Sequence, residues 1–149
     1  PMLDNNELIS RYNNYASLNC MSGMALEKYN ALTHPYPSIK DKIDRYGYDN
    51  KQFHHVLRMK EFMERYIDRE KYSDILIPYE KGMLLAIKKE YIYSVDDAKS
   101  MCKSACDYMK QLKDDYMANN PVNINQKAIE IMDEVCYNTI RHSIRKEIL

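Results

Sequence analysis

The stretch Ser94–Met117, SVDDAKSMCKSACDYMKQLKDDYM, carries Val95, Ala98, Met101, Cys102, Ala105, Met109, Leu112 and Tyr116 every three or four residues. This spacing lays one apolar stripe along an α-helix, whereas the side chains of a strand alternate with period two. Ser94 and Asp97 cap its start, since a serine oxygen at that position accepts from a backbone N–H of the first turn. Asn119-Asn120-Pro121 ends it. Cys102 and Cys106 fall in the same core.

Beyond that break, a last helix from about Asn123 carries Ile129, Met132, Cys136, Ile140 and Ile144 on one face. It is expected to pack along the Ser94 helix as a long neighbour. Before Ser94, a first segment from about Asp4 to Leu32 holds Leu8, Tyr12, Tyr15, Leu18, Ala25 and Tyr29 at helical spacing, with Gly23 as a candidate bend. His34-Pro35-Tyr36-Pro37 interrupts the chain, because each proline removes a backbone donor and pushes its predecessor out of the helical region. A short helix, Ser38 to Tyr46, follows.

Tyr46-Gly47-Tyr48-Asp49 reads as a helix stop, a turn and a new start. Gly47 tolerates left-handed geometry, and Asp49 with Gln52 forms a capping pattern. The next helix runs to about Glu70. Ile75-Leu76-Ile77 is either a short extended piece or the approach to a helix that Pro78 starts, with Met83, Leu84 and Ile87 as its apolar stripe. Only 3 Gly and 5 Pro occur among 149 residues, which favours helices joined by short turns. The expected fold is all-α, a single helical domain over residues 1–149 with five or six helices.

The 22 basic and 22 acidic residues cancel, so no global field draws the chain to nucleic acid or to a membrane, and any such binding needs a local patch. Cys20, Cys102, Cys106 and Cys136 form no CxxC pair and no zinc spacing, so reduced thiols and a cytoplasmic location are expected, with no metal or cofactor. No apolar run approaches the roughly 18 residues of a membrane span, and no leader pattern opens the chain. Pro1 before Met2 reads as a residue left from expression. The 14 Tyr, against 2 Phe and no Trp, suit a core whose ring tips reach polar partners.

One helix face is unusual. At about 100° per residue with Phe53 as zero, Val56, Leu57, Met63 and Ile67 lie within about 80° and define a buried side. Lys51, His55, Arg58, Phe62, Arg65 and Arg69 lie at about 120–200°, opposite it. Arginine and lysine donate charge-assisted hydrogen bonds to phosphate oxygens, His55 can add one, and Phe62 can stack on a base. The alternative is a solvated face laced by pairs such as Glu61 with Arg65.

The run Gly47-Tyr48-Asp49-Asn50-Lys51-Gln52-Phe53-His54-His55-Val56-Leu57-Arg58 resembles the GYD-x-K-x-x-x-H-x-x-R signature of the predicted DNA polymerase beta-like nucleotidyltransferases, a family associated with RNA repair and common in phages. Ile77-Pro78, Leu84-Leu85-Ala86-Ile87-Lys88 and Ser94 resemble its P...LL-x-IK...S segment, and Tyr15-Ala16 its GYA helix. The resemblance spans roughly residues 11–110. Gln52 stands where the family usually has another His, and Lys89-Glu90 where it has Gly after the IK pair.

The family's chemistry belongs to an amino-terminal half with a Gly-Ser turn and two paired carboxylates, which hold metals about 3.5–4 Å apart. Ser22-Gly23 has no D-x-D behind it, and Asp96-Asp97 and Asp114-Asp115 are adjacent helical residues pointing about 100° apart. The resemblance therefore implies the helical carboxy-terminal half alone. It makes Lys51, His55 and Arg58 ligand-facing and Asp49 a helix cap, while a plainly structural role stays open for Tyr48 and His55.

The expected function is a non-catalytic domain that binds nucleotide or RNA phosphates through Lys51, His55, Arg58, Phe62 and Arg65. Two alternatives remain. One is a small phage or mobile-element protein that inhibits a host or defence protein, and the other is a homo-oligomeric interaction domain. No serine or cysteine stands in a recognisable nucleophile turn, so independent catalysis is not expected.

Overall fold

The computed structural model describes residues 3–148, so the reading of Pro1 and Met2 lies outside the described residues. The chain is all-α. Among the described residues it forms α1 (Asn6–Ser10), α2 (Asn14–Ala31), α3 (Lys40–Tyr46), α4 (Asn50–Ile67), α5 (Tyr72–Ile75), α6 (Lys81–Lys89), α7 (Val95–Asn119) and α8 (Gln126–Ile148). Eight helices replace the expected five or six. The added two are short, five residues in α1 and four in α5, too few to show a helical period.

The first segment divides because Asn13 turns extended, at φ −151°, and caps α2 by accepting from the Ala16 N–H at 3.0 Å. Leu8 and Tyr12 keep the spacing of α2 across that break, which hides it from periodicity. From there α2 runs unbroken through Gly23. Ser94 caps α7 as expected, its Oγ taking the Asp97 N–H at 3.1 Å.

α4 is the central helix, packed on α2, α6 and α7. Its buried side contributes to two apolar clusters. Phe53 and Val56 join Leu32, Tyr48, Ile87, Ala98, Cys102 and Ala105, and Met63 and Tyr66 join Leu18, Met21, Ala25, Ile75 and Met109. Cys106 packs against both clusters, linking them along α7.

α8 does not lie along α7. It packs against α1, because the link before it is tied to the start of α2. The Asn125 N–H donates to the Tyr12 carbonyl at 2.7 Å, and Asn14 Nδ2 donates to the Pro121 carbonyl at 3.0 Å. Asn13 and Ile124 form an isolated antiparallel bridge. Ala128 is buried, and of the apolar residues expected on one face Ile129 and Met132 are half-buried while Cys136, Ile140 and Ile144 are exposed. No helix among the described residues is long and apolar enough to cross a membrane.

Candidate functional site

The site begins with the turn that starts α4. Gly47 has φ +83°, and a Cβ there would stand 3.2 Å from the Val95 side chain, so both backbone geometry and space demand glycine. The Tyr48 hydroxyl donates to the Tyr93 carbonyl at 3.0 Å. Asp49 is buried and caps α4 by accepting from the Lys51 N–H at 3.1 Å, while its own N–H donates to the Leu32 carbonyl at 2.8 Å. Asn50 Nδ2 donates to the Lys88 carbonyl at 2.6 Å, fixing the end of α6 beside α4. Gly47, Tyr48 and Asp49 therefore build the platform on which the next two turns stand.

On those turns Lys51 is exposed and His55 half-buried. Burial holds His55 below the usual histidine range, and the charges of Lys51, Lys28 and Lys88 push it further down against the smaller opposing effect of Asp49. His54, with its ring 5.3 Å from that of His55, is also held low by burial, by His55, and by Lys88 and Arg58. Its Nδ1 is buried without a hydrogen-bond partner. Cations of α2, α4 and α6 thus act on the two imidazoles; Lys28 also pairs with Glu27 at 2.9 Å, and Asp49, which opposes the shift of His55, serves as the helix cap and lies 3.8 Å from Lys42.

The second half of the stripe behaves differently. Arg65 was expected to face solvent, yet it is buried under the chain that follows α4. Its Nε donates to Glu70 at 2.7 Å, Nη1 to Glu61 at 3.1 Å and to the Ile77 carbonyl at 2.7 Å, and Nη2 to the Asp74 carbonyl at 2.9 Å. The Tyr79 ring covers it, with the guanidinium carbon 3.8 Å from the ring centroid. Phe62 is half-buried and meets the Tyr72 ring edge-on at 6.2 Å.

Arg58 stands between the two halves. Its Nη2 donates to the Ile75 carbonyl, its guanidinium lies 5.6 Å from the Phe62 ring, and Glu61 is 3.7 Å away. Its Nη1 is buried without a hydrogen bond. Arg69 is exposed, at φ +61° just past the end of α4. Sequence reasoning missed Lys28 and His54 as members of the cluster. Lys88 was visible only as part of the Ile87-Lys88 pair.

Several other chemistry-bearing groups are engaged. A cleft of about 330 Å³ at the far end of α4 includes Arg11, whose guanidinium already holds Glu7 and the carbonyls of Tyr66 and Glu70. Asp97 accepts from the Ser94 hydroxyl and Asp114 pairs with Lys110. Burial pushes the Cys102 thiol up to about 12, where the reactive thiolate is scarce at neutral pH. The chain matches no protein-family model, no curated protein and no solved structure.

Proposed function

We propose that the chain is a non-catalytic helical domain, like the carboxy-terminal half of a nucleotidyltransferase, that binds the phosphates of a nucleotide or RNA at the start of α4. The observation that carries this reading is the pair of half-buried imidazoles 5.3 Å apart at the start of α4, both depressed by burial and by Lys88, with Lys51 and Lys28 acting on His55 and Arg58 on His54. Like charges brought together cost energy until an anion joins them, and a phosphate would relieve that repulsion and let the imidazoles take up protons. The ligand-facing set is Lys51 and His55, extended by Lys28, His54 and Lys88. Arg58 forms its inner edge, while Phe62 and Arg65 hold the adjoining chain in place.

The test is a pH titration of the His54 and His55 ring resonances by NMR, with and without a short RNA oligonucleotide or ATP. Binding should raise both midpoints and weaken steeply with added salt. Lys51→Ala combined with Lys88→Ala should raise the midpoints of the free protein and reduce the ligand-induced shift. Unmoved resonances at millimolar ligand would reject the site.

A further inference from the structure

We propose that the cleft at the far end of α4 binds a small organic acid, its carboxylate held by Arg69 and its carbon part laid against Ile67, Pro121 and Val122. The inference does not rest on phosphate binding, whose site lies at the other end of the same helix.

The start of α2, the ends of α4 and α7 and the link to α8 meet around this cleft, whose volume of about 330 Å³ suits a small molecule. Two guanidiniums line it and no carboxylate does. Arg11 is the engaged one. Its Nε donates to Glu7, Nη1 and Nη2 donate to the carbonyls of Tyr66 and Glu70, and its guanidinium carbon lies over the Tyr66 ring at 4.4 Å from the centroid. Arg11 therefore shapes the wall, and Glu7 at 3.0 Å already answers its charge.

Arg69 is unanswered. Among the described residues its side chain has no hydrogen bond, ion pair or ring contact. The carboxylates that flank it in sequence face elsewhere, since Glu70 accepts from Arg65 and Tyr79, and Asp68 lies with Tyr108 along a neighbouring groove. Arg69 also stands at φ +61°, where its N–H donates to the Tyr66 carbonyl and the Glu70 N–H donates to the Arg65 carbonyl to close the helix. Glycine or asparagine is the usual residue at such a stop, so the backbone itself gives no reason for an arginine. Beside it, the Tyr116 hydroxyl accepts from Asn14 Nδ2 at 3.2 Å, while its own proton has no acceptor among the described residues. The side-chain amide of Asn123 is likewise without a partner among them, although its backbone N–H is fixed by Asn14 at 2.8 Å.

These groups select the ligand. A carboxylate takes two parallel N–H bonds from one guanidinium and carries a single charge, which matches the single unanswered charge of the cleft. A phosphate dianion would bring a second charge with only the already paired Arg11 to meet it. The Tyr116 hydroxyl and the Asn123 amide can donate to the remaining lone pairs of the carboxylate. Ile67, Pro121 and the exposed Val122 supply the apolar wall.

The experiment is an NMR titration of the isotope-labelled full chain at low salt, with sodium benzoate and, separately, with inorganic phosphate. Benzoate should shift the Nε–H resonances of Arg69 and Arg11 and the side-chain amide of Asn123 saturably in the millimolar range, and phosphate should bind there more weakly. Arg69→Gly and Arg69→Asn, both suited to the positive φ, should keep the thermal midpoint of the wild type or raise it, and should weaken benzoate at least tenfold. Resonances unmoved at millimolar benzoate, or equal binding by the wild type and both variants, would overturn the site. Tighter binding of phosphate than of benzoate would overturn the carboxylate as its ligand.

Discussion

The two halves of the basic face of α4 share one sequence pattern and have opposite fates. At Lys51 and His55, cations from three helices act on one imidazole; among the described residues only Lys28 of these has a carboxylate partner, Glu27, and the carboxylate that opposes them at His55 is already a helix cap. Around Arg65, two carboxylates, two carbonyls and a tyrosine ring close over a single guanidinium. The difference lies in what the chain does next. Residues 68–80 fold back over the end of α4 and consume its arginines, whereas nothing comparable covers the start. A cation on a helix face is a ligand candidate only where no other segment has already answered it.

The most severe test of this contrast is Arg65→Ala. It takes the guanidinium from Glu61 and Glu70, which keep the N–H and hydroxyl of Tyr79, and from the carbonyls of Asp74 and Ile77, and should cost about 3 kcal/mol, screened somewhat by the partial exposure of Glu70. Urea unfolding should show the lost stability. A change below about 1 kcal/mol would mean that the arginine end is as open as the other.

Arg58→Ala should fall between the extremes, at about 1–2 kcal/mol, because it removes one charged donor to the Ile75 carbonyl. A place opposite the buried side of the helix, as the sequence has it, would leave stability unchanged. If it does, Arg58 belongs to the ligand-binding half, whereas a measurable loss places it with Arg65.

A pH series sharpens the comparison at the other end. His54 and His55 sit below the ordinary value of 6.5 in the folded chain, so the unfolded chain binds protons that the folded chain refuses. Their contribution to stability is complete above about pH 6.5 and is lost as the pH falls through the folded midpoints. His54→Gln with His55→Gln should flatten that part of the profile, as read from thermal midpoints between pH 7.5 and 5. The smallest effect belongs to Lys51→Ala, an exposed change expected to stay within about 0.5 kcal/mol.

What could be read in advance follows from the range of the forces involved. Gly47, Asp49 and Ser94 act on backbone within three residues or on a turn's own dihedral, so their roles stand in the local string. The burial of Phe53, Val56 and Met63 follows from period alone. Arg65 could not be judged, because the carbonyls that satisfy it belong to residues 9 and 12 positions later, in a stretch with no strong periodicity. Lys28 and Lys88 reach the histidines only through packing of α2 and α6 on α4. The stripe on α8 was correctly seen as apolar, but a helical period does not say which neighbour, if any, covers it.

The stitching of residues 12–14 to residues 121–125 also has a mechanical side. α8 holds 23 residues and is packed as far as Val135, so residues 136–148 extend about 20 Å beyond its last half-buried side chain among the described residues. A tilt of about 10° at Val135 would carry the far tip through about 3 Å. The asparagine seam and the first turns of α8 together hold this arm, and loosening Asn14 would be felt along it.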